Sequence, residues 1–295
     1  KMDNLVTGVG APSYERYPLK RFPPTSETNT ALFVQSEFAT ERWSIIPALR
    51  YDRFDLKARS SSLYPLQPAS LSDSALSPKL GASFRPGTEL ALFANLAAGF
   101  KAPSALQLNN NFQNTLASYR TIPNPDLKPE RSRTLEVGAR DKVGPVQWEA
   151  AVFTGRYKDF IEELVVVGGQ AGNPLNPLTY QAVNRGQVRL SGFEFKGKFA
   201  LGPATDLRLA YGQTQGKDTR LGVPLNTVNP ARLLLGVDQR VGGWKLGAVI
   251  AHTMKKSASD INDANRANQF APPSYTTLDL RASWQVSKAT RLSAA

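Results

Sequence analysis

Hydrophobic and polar residues alternate along much of this chain. Leu278, Leu280, Ala282, Trp284 and Val286 share one parity, and Thr277, Asp279, Arg281, Ser283 and Gln285 share the other. Successive side chains on a strand point to opposite faces, so this segment is predicted to be a strand with one apolar and one polar face. The pattern returns at Trp43, Ile45, Leu49 and Tyr51 against Ser44, Ala48, Arg50 and Asp52, and at Leu90, Leu92, Ala94, Leu96 and Ala98 against Glu89 and Asn95. It returns again at Leu135, Val137 and Ala139, at Leu233, Leu235 and Val237, and at Leu246, Ala248 and Ile250. The parity slips near Gly192, which predicts a bulge there.

The connectors alternate too, in length. Short turns are predicted at 40–42, 86–88, 143–145, 202–205, 241–243 and 287–289, and long polar loops at 58–77, 102–130, 159–186, 216–229 and 257–274. Tight turns on one rim and long loops on the other are the habit of outer-membrane barrels. Trp43, Trp148, Trp244, Tyr275 and Trp284 fall near predicted strand ends, where interfacial aromatic girdles lie. The fold class expected is all-β, an antiparallel transmembrane β-barrel. From Ala31 onward about twelve strands fit, while plugged transporters have about 22. Residues 1–295 therefore hold roughly half a large barrel or form a small barrel in their own right; the apparent strand at 290–295 favours one partial barrel domain, with a plug and further strands outside it. The opening KMDNLVTGVG holds no apolar export segment, and the last residues lie in an apparent strand, so a piece of a longer protein is expected.

Composition narrows the alternatives. No run of eighteen or more apolar residues occurs, and the longest uncharged window, 164–184, is broken by Gly168, Gly169, Gly172, Pro174 and Pro177. A mean hydropathy of −0.32 does not argue against a barrel, because only alternate strand residues face lipid. The absence of cysteine excludes disulfides and Cys-based zinc sites. Net charge is +12, from 36 Lys and Arg against 24 Asp and Glu. The cations are scattered and rarely interleave with aromatics in a groove-like cluster, so no nucleic-acid partner is expected. Outer-membrane lipid and lipopolysaccharide, or an anionic ligand in a lumen, fit the charge. Catalysis of the Ser-His-Asp kind would rest on His252, the sole histidine, with Ser257 and Asp260 nearby and no nucleophile-elbow pattern. An enzyme is not expected.

The most distinctive segment follows the fourth predicted strand. It contains Phe100, Lys101, Ala102 and Pro103, then an Asn/Gln-rich stretch, then Tyr119, Arg120, Thr121, Ile122, Pro123, Asn124, Pro125, Asp126, Leu127, Lys128, Pro129 and Glu130. This resembles the TonB-dependent outer-membrane haem and haemoglobin receptors, in which a Phe-Arg-Ala-Pro box and an Asn-Pro-Asn/Asp-Leu box flank the haem-binding loop. Here Lys101 replaces the arginine. Arg133 to Arg140, Phe153 to Glu162 and Asn184 to Glu194 are similar to the family's following strands. Siderophore receptors carry similar boxes, so a ferric siderophore or other chelate is the alternative ligand.

The resemblance implies a receptor that imports haem for iron, from free haem or a haem-carrying protein. Haem is then transported ligand, not catalytic cofactor, and the TonB energy-coupling complex is a partner through a segment N-terminal to this chain. It implies ligand contacts at Phe100, Lys101, Ala102, Pro103, Tyr119, Arg120, Asn124, Pro125, Asp126 and Leu127. Many family members place an axial histidine between the boxes, and this chain has none there. Others use a tyrosine just before the second box, which matches Tyr119, and take a second ligand from a plug histidine. A phenolate is a hard anionic donor suited to ferric iron. A free phenol loses its proton only near pH 10, so the metal and neighbouring positive charge must drive deprotonation. Arg120 is the candidate for that charge or for a propionate contact. The structural alternative for both boxes is that Pro103, Pro125 and Pro129 stiffen the ends of a long loop.

Overall fold

The computed structural model describes residues 5–7, 18–114, 116–262 and 270–294. A short ribbon pairs β1 (Leu5–Val6) with β2 (Leu19–Lys20). The main sheet begins with β3 (Thr25–Gln35), β4 (Phe38–Ala39), β5 (Trp43–Ala58), β6 (Leu71–Phe84) and β7 (Ala91–Lys101). The next connector holds helix α1 (Ala105–Asn109) and the strands β8 (Phe112–Asn114) and β9 (Tyr119–Ile122). Then come β10 (Glu130–Val143), β11 (Val146–Gly168), β12 (Leu178–Ala200) and β13 (Thr205–Asp218). The chain ends with β14 (Arg232–Val241), β15 (Trp244–Thr253), β16 (Tyr275–Gln285) and β17 (Arg291–Ala294).

Twelve of these strands form one antiparallel path, β3-β5-β6-β7 and then β10 through β17 in order. Each is joined to the next by a connector, so nearly every pairing is a hairpin. Among the described residues β3 and β17 do not pair, so the sheet is an open arc, a partial barrel. The predicted strand number is met, with β3 beginning at Thr25 rather than Ala31.

The two faces differ as the alternation predicts. Leu278 and Leu280 on β16 are 60% and 63% exposed, and Ile45, Leu49, Leu92, Leu135, Val152, Leu235 and Ile250 lie bare on the same side. In water such a surface would be costly, at about 25 cal/mol per Å² of apolar area. Against lipid it is the expected outer surface. The opposite face is polar. Asn95 donates to Glu136 at 3.0 Å, and Arg208 and Arg281 both bracket Asp238. Trp43 stacks on Phe84 and Trp244 on Trp284, both at the short-turn end of the apolar face.

Four expectations need correction. The span 159–186 is mostly strand, since β11 and β12 run on as a ladder and only 169–177 connects them. Bulges between Glu162 and Val165 and between Val166 and Gly168, with left-handed backbone at Asp159 and Leu164, scramble the parity there without ending the pairing. The loop predicted at 58–77 is shorter, because β6 begins at Leu71. Tyr275 pairs with Thr253 and so falls on the polar face, off the girdle.

Gly192 is the fourth. It pairs in regular register with Phe153, with no bulge. A Cβ there would collide with the Gln213 carbonyl oxygen and the Phe153 ring. The glycine leaves room for that ring across the ladder, as Gly138 does for Phe93. Gly192→Ala is therefore expected to destabilise the barrel by about 1–3 kcal/mol. Denaturant unfolding of the protein in lipid vesicles measures this, and an unchanged midpoint would contradict the packing role.

Candidate functional site

The 102–129 connector is built as a clamped platform. Ser104 caps α1, accepting from the Gln107 amide at 3.2 Å while the Gln107 side chain accepts from the Ser104 amide at 2.9 Å. Leu108 and Asn109 of this helix are fully buried. The Asn109 side chain accepts from the Ala69 amide at 2.7 Å and donates to the Ala69 carbonyl at 2.9 Å. The Asn109 carbonyl accepts from the Tyr64 hydroxyl at 2.8 Å. The 59–70 connector is thus latched onto the next one. Burial pushes the Tyr64 phenol above its ordinary pKa and keeps it a donor.

The two boxes meet across a small apolar core. Leu127 is 2% exposed and packs with Phe54, Leu56, Leu108, Ile161 and Ala182, while Phe100 and Ala102 sit against the same cluster. Pro103 is fully buried. Lys101 meets Glu130 at 3.0 Å, and the same carboxylate accepts from the Ile161 amide at 3.0 Å. Asn124 donates to the Ala182 carbonyl at 2.8 Å, and its own oxygen accepts from the Asp126 amide at 3.1 Å. Asn184 accepts from the Lys128 amide at 2.8 Å and donates to the carbonyls of Lys128 and Asp159. Pro125 and Asp126 are exposed. Both box ends are therefore tied to the β11–β12 hairpin.

Between the anchors, β9 docks parallel to the top of β12, with Tyr119 opposite Leu178 and Thr121 opposite Tyr180, and antiparallel to β8. This register puts Tyr119, Phe112 and Tyr180 on one side of the small sheet. The Tyr119 ring lies 5.6 Å from that of Phe112 and 6.1 Å, edge-on, from that of Tyr180. Arg21 lies over the Phe112 ring at 4.6 Å. Tyr119 is half-buried, and its hydroxyl has no hydrogen-bond partner among the described residues. Arg120 points to the other side, where its Nε donates to Thr179 Oγ1 at 2.9 Å. Adjacency in sequence thus separates the two side chains, and Arg120 fastens β9 to β12.

Phe112, Tyr180, Arg21 and Asn109 had no signal in the sequence, because chain segments distant from the boxes bring them there. Among the described residues no three His, Cys, Asp or Glu gather as a metal site. His252 lies on β15, on the apolar-face parity, with Nδ1 2.9 Å from Thr276 Oγ1.

A family model described as TonB dependent receptor-like, beta-barrel, matches residues 3–295. The chain belongs to this family of TonB-dependent receptors. It is 29% identical over 231 residues to the hemoglobin and hemoglobin-haptoglobin-binding protein A of Haemophilus influenzae, covering 70% of this chain and 21% of that protein. It is 26% identical over 297 residues to the hemoglobin-haptoglobin utilization protein B of Neisseria meningitidis serogroup C, covering 86% of this chain and 36% of that protein. The receptor chain thus spans about a fifth to a third of the length of these relatives. Among solved structures, the copper transporter OprC superposes with a TM-score of 0.71 at 19% identity, covering 91% of this chain and 41% of that one. That likeness concerns the fold.

The Asn109 latch is testable. Asn109→Ala leaves the Ala69 amide and carbonyl without partners, a loss of about 1–3 kcal/mol. Amide exchange around Ala69 is expected to rise at least about fivefold, with the barrel strands unchanged. Equal protection in variant and parent would show that the latch is unnecessary.

Proposed function

We propose that this chain is part of a Gram-negative outer-membrane receptor that imports haem for iron, taken from free haem or from haem-carrying proteins, with Tyr119 as ferric ligand. The observation that carries the reading is Tyr119 itself, a half-buried phenol with no hydrogen-bond partner among the described residues, set between two aromatic rings. Flat rings on either side suit a flat porphyrin, and a phenolate oxygen suits Fe(III). The names of the relatives, which speak of haemoglobin and haptoglobin, support the same ligand class.

The boxes contribute by holding the loop. Phe100, Ala102, Pro103 and Leu127 pack its ends, and Lys101, Asn124 and Asp126 bond them. The exposed Pro125 and Asp126 face outward, where contact with a haem donor protein is expected. No bond of the cargo is made or broken apart from iron ligation. Passage is driven through the TonB complex, acting on a plug outside this chain. The exposed apolar face, with its stacked tryptophans, supports residence in the outer membrane among its lipid and lipopolysaccharide.

In the full-length receptor, Tyr119→Ala and Tyr119→Phe should both shift the Soret band of bound ferric haem and lower affinity by about tenfold or more. The phenylalanine variant keeps the ring packing, so loss in both isolates the oxygen. An unchanged spectrum removes Tyr119 as ligand. A strain relying on this receptor should grow on haem as sole iron source. Growth only on a ferric siderophore would favour a chelate receptor.

A further inference from the structure

Register places a ladder of cations on the apolar side of the sheet, at its long-loop end. Arg133 pairs with Arg156, Arg156 with Arg189, and Arg189 with Lys217, one residue on each of β10, β11, β12 and β13. Arg131 and Lys158 pair in the next outward-facing row above. All share parity with Leu135, Val137, Val152 and Phe193, so they project from the bare apolar face and not from the polar one. All are exposed. Arg131 meets Asp73 at 3.2 Å and lies over the Phe100 ring. The other five have no ion pair among the described residues.

Neighbouring strands lie about 4.8 Å apart, so the four-residue row spans roughly 14 Å. Like charges directly opposite on a sheet repel, and nothing within the row offsets this. The row just beneath is Leu135, Thr154, Ser191 and Gln215, and below it come Val137, Val152, Phe193 and Gln213. The cations therefore stand above the apolar stripe, separated from it by one mostly polar row. Thr154 Oγ1, directly under them, is buried without a hydrogen-bond partner. A cleft of about 750 Å³ lined by Arg131, Arg133, Arg156, Lys158 and Arg189 has Leu76 and Ala98 on its flank. Above the Lys79–Ala97 pair β6 and β7 are no longer bonded, which opens that flank.

We infer that this row is a binding site for a phosphorylated, acylated lipid of the outer leaflet. Its phosphates would lie on Arg133, Arg156, Arg189 and Lys217, and its acyl chains along the apolar stripe below. The inference rests on the outer-membrane reading above and assigns a partner to one patch of it. Guanidinium groups bind phosphate through paired charge-assisted hydrogen bonds, and a run of them on the outward face suits anionic headgroups. The charge complementarity is local. On β14, β15 and β16 the apolar-face positions of the matching region carry no such row.

The test uses the full-length receptor in phosphatidylcholine nanodiscs doped with bisphosphorylated lipid A or with its dephosphorylated form. Lipid retained is read by native mass spectrometry. The parent should retain the phosphorylated lipid about tenfold better, and less so as salt rises. The combined variant Arg133→Gln, Arg156→Gln, Arg189→Gln and Lys217→Gln should lose that preference while its haem spectrum stays unchanged. If that variant does not fold, judged by heat-modifiable electrophoretic migration, Arg156→Gln and Arg189→Gln singly should each lower retention by about twofold or more. Equal retention of the two lipids by the parent, equal preference in parent and variants, or displacement of the lipid by inorganic phosphate would overturn the site. Failure of the parent to enter nanodiscs would instead count against the outer-membrane reading itself, and would take this site with it.

Discussion

A backbone laid against hydrocarbon must bond its own amides, because no water is there to do it. The antiparallel ladder meets that constraint over twelve consecutive strands. The rest of the structure follows from it. Strands must stay in register, so each side chain is committed to one face. One face can then be bare and apolar while the other carries Glu136, Arg208, Asp238 and Arg281. Glycines opposite Phe93 and Phe153 let large rings lie across the ladder without breaking it.

Above the apolar stripe the constraint changes, since loops can bond to water and need some other reason to be ordered. Here the reason is a small core of Phe54, Leu56, Leu108, Leu127, Ile161 and Ala182, ringed by side-chain bonds to backbone. Asn109, Asn124 and Asn184 each satisfy main-chain groups of another segment. An amide side chain is suited to this, because it offers a donor and an acceptor at once. The outcome is a rigid seat for a three-stranded patch that holds Tyr119. In the proposed function, rigidity of the seat is what lets one oxygen select a ferric ion.

Much of this was legible in the sequence. The parity of Leu278 to Trp284 and of Leu135 to Ala139 fixes faces because the period of a strand is two, so a run of alternate apolar residues commits the residues between them to the other face. The alternation of short and long connectors orients the sheet. The β11–β12 extension was not legible, since bulges at Glu162 and Val166 shift parity and the Gly and Pro residues of 168–177 resemble a long loop. Gly192 read as a bulge because a glycine in a strand has several causes, and its cross-strand ring was invisible. The boxes announced a ligand loop, yet they could not reveal that Arg120 turns away from Tyr119, which depends on β9 docking beside β12. Nor could they name Phe112 and Tyr180 as its neighbours, which only the three-dimensional register supplies.

The β11–β12 hairpin outreaches β10 by nine residues on β11, or roughly 30 Å along the strand. Its far end is also the sheet to which β9 is stitched, through Leu178, Thr179, Tyr180 and Gln181. The hairpin is thus a lever with the phenol mounted near its tip. In the proposed function, tip and tyrosine would then shift as one body, because β12 is the only strand of the main path that β9 pairs with among the described residues.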